Sequence, residues 1–178
     1  MTGQVIGQVM PPWTRGQWAL RLVVLAGPVL ATVAAGLTGD PPGRLGLGVV
    51  VAASLGFALF PESPAGTVAF ATVLLTWGLG SSPSTPPGVV LAAGALVAAH
   101  VAALLASYGP ADLPLDRRLT LTWLVRGAAL FLVAPVVWLL ARALEGQPEP
   151  AGLWVTAVAA LAVAAVVATT ALGPRSRA

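Results

Sequence analysis

The sequence predicts an all-α polytopic membrane protein, a helical bundle with six transmembrane helices and short loops. Three observations predict this fold. Six apolar blocks with little or no charge fill most of the 178 residues. Hydrophobic residues make up 57% of the chain and charged residues only 8%, whereas a soluble domain has roughly 25% charged residues. The stretches between the blocks are short and rich in Pro, Gly and Ser. We therefore expect one integral membrane domain, residues 1–178.

The six blocks are the predicted membrane helices. A helix needs about 20 mainly apolar residues to cross a hydrocarbon core of ~30 Å. In chain order the transmembrane segments are 17–37, 45–60, 64–80, 86–108, 119–143 (within an apolar block that begins at 117) and 151–172. The polar lead of about 20 residues before the first block argues against a signal peptide, whose charged region is shorter.

Helix-capping patterns mark where several of these helices begin. Asp116 is placed to cap the fifth helix. Inside the first and fifth helices, Pro28 and Pro135 each remove a backbone hydrogen bond, which predicts a bend. Three further starts combine an N-cap with proline at the first helical position: Ser63-Pro64, Thr85-Pro86 and Glu149-Pro150.

The second and third helices are the shortest, and two arrangements are open for them. Sixteen or 17 residues rise only ~24–26 Å, slightly less than the hydrocarbon thickness. They either cross the bilayer or form a re-entrant hairpin. A re-entrant tip would place Glu62 near mid-membrane, where an ionised group costs at least ~2.5–3.5 kcal/mol. This cost favours six crossings.

The arginines predict the orientation of the chain. All nine cationic residues are Arg, and positively charged residues concentrate on the cytoplasmic side of membrane proteins. With both termini in the cytoplasm, seven arginines lie inside and two outside. Those inside are Arg15, Arg21, Arg117, Arg118, Arg126, Arg175 and Arg177, and those outside are Arg44 and Arg142.

The aromatic residues support the same orientation, because Trp and Tyr prefer the headgroup level. Cytoplasmic block ends carry Trp13, Trp18, Tyr108 and Trp123, and outer ends carry Trp77, Trp138 and Trp154.

Lys and Asn are missing and Ile occurs once, a composition typical of a high-GC bacterial genome. The expected location is therefore the bacterial inner membrane.

Small residues at four-residue spacing predict close helix packing. Lipid tails are as apolar as leucine, so helices in a bilayer associate through close packing and a few polar contacts. The stripes are Gly27, Ala31 and Ala35; Gly48, Ala52 and Gly56; Gly94, Ala98, Ala102 and Ala106; and Thr156, Ala160, Ala164 and Ala168. Their partners are other helices of this chain, a second copy or other membrane proteins.

Four polar residues within the apolar blocks are the candidate site residues. His100 is a proton relay or ligand, or else a neutral imidazole bonded to a neighbouring helix. Arg126 extends to the cytoplasmic interface or, alternatively, pairs within the bundle or binds a substrate. Thr72 and Thr76 bond to the carbonyl four residues back or to a neighbouring helix, or they line a polar path.

The combinations of residues that enzymes and metal sites use are missing from the sequence. There is no Cys, no HExxH or GxSxG motif, and no carboxylate in any spanning core. A Ser–His pair would need Ser54 or Ser107 beside His100. One histidine cannot hold a metal alone. We therefore expect no enzyme activity, no metal and no cofactor. The pI near 11.1 reflects membrane orientation charges and not nucleic-acid binding.

Two loops carry a resemblance to known sequences. Tyr108-Gly-Pro-Ala-Asp-Leu-Pro-Leu-Asp116 precedes an arginine pair, and Phe60-Pro-Glu-Ser-Pro-Ala-Gly66 forms a short turn. With the overall pattern, they resemble uncharacterised small multi-pass membrane proteins of high-GC Gram-positive bacteria, a resemblance that implies no activity. The expected function is an integral membrane scaffold or accessory subunit. The alternative is a small transporter or channel, with a wet cavity near the candidate residues.

Overall fold

The computed structural model describes residues 13–36, 43–79, 86–108 and 116–147, and the single residues 152, 155, 159, 162 and 163. These residues are helical or lie in turns, and no strand occurs among them. Contacts divide the chain into two units, Met1–Ala143 and Leu144–Ala178, and the bundle described below belongs to the first. Its helices are α1 (Arg15–Gly36), α2 (Arg44–Leu59), α3 (Ala65–Gly78), α4 (Gly88–Ser107), α5 (Arg117–Phe131) and α6 (Val133–Leu144).

Among the residues that the structure describes, three helical stretches are long and apolar enough to cross a membrane. They are α1 with 22 residues, α4 with 20, and Arg117–Leu144 with 28, which comprises α5 and α6. The helices α2 and α3 are apolar but have only 16 and 14 residues, or ~24 and ~21 Å. The all-α architecture is thus confirmed and fits a membrane protein. Six crossings are not confirmed, and most of the sixth segment, 151–172, lies outside the described residues.

The two prolines inside helices have different effects. Pro28 lies within α1, which continues without interruption. Pro135 lies just after the break between α5 and α6 at Leu132. Proline has no N–H and its ring crowds the carbonyl four residues earlier, which here belongs to Phe131, the last residue of α5. Leu132 keeps right-handed helical backbone angles and its N–H bonds to the Ala128 carbonyl oxygen, so Arg117–Leu144 continues as one apolar stretch with a local interruption of its helical hydrogen bonds.

The helix α1 is the centre of the bundle and packs against α2, α3 and α4. Small and β-branched residues fill the interior in two layers. The first layer contains Val24, Phe57, Ala58, Ala102 and Ala103. The second contains Ala31, Ala34, Val50, Val73 and Ala92. The order of the layers along the helices shows that α2 and α4 run antiparallel to α1. On α3, Ala65 and Phe70 pack against the first layer and Val73 lies in the second, so α3 runs parallel to α1.

The closest helix contact joins α1 and α4. A Cβ built on Gly27 would lie 2.5 Å from the Cβ of Ala99 and 2.6 Å from the carbonyl oxygen of Ala95. Real Cβ atoms essentially never approach this closely, so only glycine fits at position 27 with the helices where they are. The stripe of Gly27, Ala31 and Ala35 is buried along its whole length.

The other small-residue stripes behave differently. On α2, Gly48 and Ala52 are exposed, and only Gly56 approaches another helix, through Ala65. On α4, Gly94 faces the ring of Phe131 on α5. The stripe predicted at Thr156, Ala160, Ala164 and Ala168 lies outside the described residues.

The predicted helix starts are correct in one case and wrong in another. The Asp116 carboxylate accepts a hydrogen bond of 2.7 Å from the Arg118 backbone N–H and caps α5 as expected. Ser63 does not cap α3, because the helix begins only after Pro64 and the Ser63 hydroxyl makes no hydrogen bond. Thr85, Glu149 and Pro150 lie outside the described residues.

One end of the bundle collects most of the predicted interfacial residues, and we call it the turn end because it contains the Pro61–Ser63 turn. It also holds the start of α1, because Arg21 bonds the last carbonyl groups of α2. The end of α4 and the start of α5 lie close together, because the rings of Tyr108 and Trp123 are 5.8 Å apart. Arg44 lies at the opposite end, because α2 finishes at the turn end.

Candidate functional site

A groove between α3 and α4 contains the only histidine of the chain, and we call it the His100 groove. It has a volume of about 460 Å³ and is open on one side. The end of α2 and the turn after it close it at the turn end. Its lining comprises Phe57, Pro61, Ser63, Gly66, Thr67, Phe70, Ala71, Leu74, His100, Ala103, Leu104 and Ser107.

His100 lies on the exposed side of α4 and points across the groove towards α3. The imidazole is 6.4 Å from the ring of Phe70, centroid to centroid, with a tilt of 55° between the planes. Within the part of the chain that the structure describes, no hydrogen bond of the His100 imidazole is found. The bond to a neighbouring helix that the sequence suggested is therefore not found among these residues.

Hydroxyl groups surround the turn end of the groove. The Ser63 Oγ is buried and has no hydrogen-bond partner. The Ser107 Oγ donates to the carbonyl oxygen of Leu104 at 2.9 Å. Thr67 completes this polar rim. Neither a carboxylate nor an arginine lines the groove, so its polar groups are all uncharged when the imidazole is neutral.

The two threonines predicted on the third helix do not line this groove. Thr72 Oγ1 donates to the Val68 carbonyl oxygen, and Thr76 Oγ1 donates to the Thr72 carbonyl oxygen, each at 2.8 Å. These are the bonds to the carbonyl four residues back that are usual for threonine in a helix. Both hydroxyl donors are thus used within α3.

Arg126 lies on α5, away from the His100 groove. Its guanidinium stacks over the ring of Trp123 at 5.4 Å, and the side chain is exposed. Trp123 is one turn nearer the start of α5, so Arg126 extends back towards the turn end. The predicted extension of Arg126 to the membrane interface requires this direction, and it stays a prediction. The structure therefore does not bring His100, Arg126 and the two threonines together.

Arg21 joins two helices by a polar contact that the sequence did not predict. Its Nη1 donates to the carbonyl oxygens of Ala58 and Leu59 at the end of α2, the second at 2.8 Å. The guanidinium also stacks over Trp13, 4.2 Å from the ring centroid. A cation is favourable at a helix C-terminus, where carbonyl groups are unpaired. From the sequence, Arg21 was expected only to orient the chain.

Trp77 forms a second contact of this kind. Its indole N–H donates to the Ala31 carbonyl oxygen at 3.2 Å and joins α3 to α1. The sequence predicted Trp77 as an interfacial residue, but no pattern in the sequence identifies its partner, because any carbonyl of a neighbouring helix is equivalent.

A second groove lies between α1, α4 and α5, with a volume of about 510 Å³. All its lining side chains are apolar or glycine: Leu20, Val23, Gly94, Val97, Ala98, Val101, Ala102, Leu105, Leu124, Gly127, Ala128 and Phe131. It offers no hydrogen-bonding side chain to a ligand.

The described residues offer hydrogen-bond donors but no catalytic arrangement. No group of three or more His, Cys, Asp or Glu residues that could hold a metal occurs among them. Ser54 is fully buried in the bundle and does not line the His100 groove. Ser107 uses its hydroxyl proton on the backbone. No serine is thus seen paired with His100 in the part described.

Comparisons with protein families, curated proteins and solved structures found no match for this chain. The resemblance to small multi-pass membrane proteins therefore stays a prediction, and function has to be argued from the geometry above.

Proposed function

We propose that the protein is a non-enzymatic integral membrane scaffold or accessory subunit that packs with other membrane proteins. The observation that supports this most is the close packing of the bundle interior. At Gly27, α1 lies directly against Ala95 and Ala99 of α4, and most buried side chains are small and apolar, with Gln17, Thr32 and Ser54 as the buried polar ones. The alternative, a small transporter or channel, requires a polar path at this position.

The exposed faces are consistent with association in the membrane. Gly48 and Ala52 are exposed on α2, and nothing lies within 4 Å of a Cβ built on Gly48. A partner helix can approach the backbone closely at such a face. The membrane segment Arg117–Leu144 is also exposed along most of its length.

For the topology, we propose six crossings with both termini in the cytoplasm. The Pro61–Ser63 turn lies at the same end as Arg21, because Arg21 bonds the last carbonyls of α2. If α1 begins at the cytoplasmic interface, Glu62 is therefore near that interface and not at mid-membrane. This geometry supports two short crossings over a re-entrant hairpin.

Site-specific crosslinking tests the accessory function. A photoreactive residue is introduced at the exposed Ala52 and, as the matched control, at the fully buried Val50. We expect position 52 to crosslink to a second membrane protein in native membranes and position 50 to crosslink only within the chain. A stoichiometric partner recovered by both crosslinking and co-purification supports the proposal. Labelling of lipid alone at position 52, with only free monomer after extraction, would contradict it.

Cysteine labelling tests the topology independently, because the natural chain has no Cys. Glu62→Cys is expected to react with a membrane-impermeant maleimide only after the cytoplasmic face is opened, and Gly43→Cys at the start of α2 only from outside. Reaction of position 62 from outside would reject this topology. Failure of position 62 to react from either face, with position 43 still reacting from outside, would support the re-entrant hairpin.

A further inference from the structure

His100 occupies a position in which an imidazole needs a hydrogen-bond partner. It is seven residues, or ~10 Å, from Ser107 at the turn end of α4. The headgroup region adds only ~5–7 Å to each side of the hydrocarbon core, so His100 lies below the headgroups if Ser107 is at the interface. An unpaired polar group in hydrocarbon costs several kcal/mol. The described residues provide no acceptor for the imidazole N–H.

The groove around His100 changes from polar to apolar along its length. Its turn end carries the hydroxyls of Ser63 and Ser107, and the Ser63 Oγ is buried without a partner. The ring of Phe70 lies beside His100, and Leu74, one turn further along α3, continues the lining with an apolar side chain. This order matches an amphiphilic molecule whose polar head points to the turn end and whose hydrocarbon chain points into the bilayer.

The lack of charged side chains in the lining restricts which head group the groove can bind. No arginine and no carboxylate lines the groove, so a phosphate or an ammonium group would be bound there without a counter-charge. A neutral imidazole donates one hydrogen bond through its N–H, and the Ser63 hydroxyl, which has no partner, can donate another. These donors fit an uncharged acceptor such as a carbonyl oxygen. The volume of about 460 Å³ is in the usual range for small-molecule sites.

We propose that the His100 groove binds the carbonyl-bearing head of an uncharged amphiphilic segment, with His100 donating the hydrogen bond and the chain lying along Phe70 and Leu74. Two sources have this chemistry: the ester region of a bilayer glycerolipid and the ring of an isoprenoid quinone. The proposal depends on the membrane setting but not on the accessory function, since a groove facing lipid is filled whether or not a protein partner exists.

Photolabelling of the full chain in nanodiscs tests the proposal. The probes are ester-linked phosphatidylcholine with a diazirine in its acyl chain, the ether-linked analogue without carbonyls, and a benzoquinone with a diazirine-bearing alkyl tail. Labelled residues are identified by mass spectrometry. We expect saturable labelling near Phe70 and Leu74 by the ester lipid or the quinone, and about tenfold less by the ether lipid, as expected for loss of one hydrogen bond.

Three variants and one control identify the site. Ala71→Trp fills the groove from an exposed position and is expected to reduce labelling at least about tenfold. His100→Leu is expected to reduce it about five- to tenfold, whereas His100→Gln retains an N–H donor and most of the labelling. The matched control is Ala98→Trp, which enters the apolar groove on the other side of α4 and leaves labelling unchanged. All variants are compared with the natural chain by gel filtration.

The outcomes distinguish the two ligand sources from each other and show which results would contradict the proposal. Displacement of the ester lipid by excess untagged quinone assigns the site to quinone, and saturable ester labelling without displacement assigns it to glycerolipid. Equal labelling by ester and ether lipids, with no quinone labelling, would overturn the proposal. Unchanged labelling in monodisperse His100→Leu would also overturn it. Neither result bears on crosslinking at Ala52.

Discussion

Replacing Gly27 by alanine tests whether the contact between α1 and α4 holds the bundle together. The added methyl would lie 2.5 Å from the Ala99 Cβ and 2.6 Å from the Ala95 carbonyl oxygen, whereas ordinary contacts begin at 3.4 Å. The two helices must therefore separate by about 0.9 Å at this point. A gap of 0.5–1 Å already removes roughly a quarter to a half of the dispersion attraction between the atoms that move apart.

The expected cost follows from two opposing effects. Overpacking a tight interior typically costs about 1–3 kcal/mol. Alanine in a helix interior is more favourable than glycine by about 0.5–1 kcal/mol. For Gly27→Ala we therefore expect a net loss of about 0.5–2 kcal/mol. For Gly48→Ala, where nothing lies within 4 Å of the new Cβ, we expect a gain of about 0.5 kcal/mol.

The assay is equilibrium unfolding in mixed micelles, with increasing mole fraction of a denaturing detergent and tryptophan fluorescence as the signal. The two alanine variants carry the same chemical change in helices of the same bundle, so their difference isolates the steric effect at Gly27. Equal stabilities, or a Gly27→Ala protein more stable than the natural chain, would show that α1 and α4 are not packed as described.

Three further predictions use the same assay. Arg21→Gln removes the guanidinium that donates to the last carbonyls of α2 and is expected to lower the free energy of unfolding by about 1.5–3 kcal/mol. Arg15→Gln, at an exposed position on the same helix, is the control and is expected to change it by less than about 0.5 kcal/mol. Similar effects of the two substitutions would contradict the described contact. Trp77→Phe leaves the Ala31 carbonyl without its indole donor and is expected to cost about 0.5–1.5 kcal/mol, and an unchanged midpoint would argue against that bond. Ser54→Ala removes a fully buried hydroxyl that has no hydrogen-bond partner. We expect the substitution to be neutral or to stabilise the protein by about 1 kcal/mol. A clear loss of stability would show that the Ser54 hydroxyl has a partner.

Composition and block length were sufficient to predict the helical architecture and most helix boundaries, because a bilayer permits few alternatives to the helix. The start of α5 at Asp116 was also predictable, since capping depends on neighbouring residues alone. Ser63 shows the limit of this local argument. In a turn of three residues between packed helices, the position of the backbone is determined by the contacts of both helices and not by the preference of one cap.

The contacts that side chains make between helices were not predictable from the sequence. Small-residue spacing identified the Gly27 stripe but gave the same weight to Gly48, which is exposed. Which stripe is buried depends on the rotation of each helix, and nearly uniform hydrophobicity around a membrane helix leaves that rotation undetermined. For the same reason, the sequence placed His100, Arg126 and the threonines together as candidates, whereas the structure separates them.

The bond between Arg21 and the end of α2 has a consequence for biogenesis in the membrane. The carbonyl of Ala58 is supplied by a residue 37 positions later in the chain. At ribosomal speeds of ~5–20 residues per second, Arg21 emerges about two to seven seconds before its acceptor is synthesised. During that interval water or lipid headgroups must solvate the guanidinium. We therefore expect the hydrogen bonds of Arg21 to the end of α2 to form only after the second helix has been synthesised.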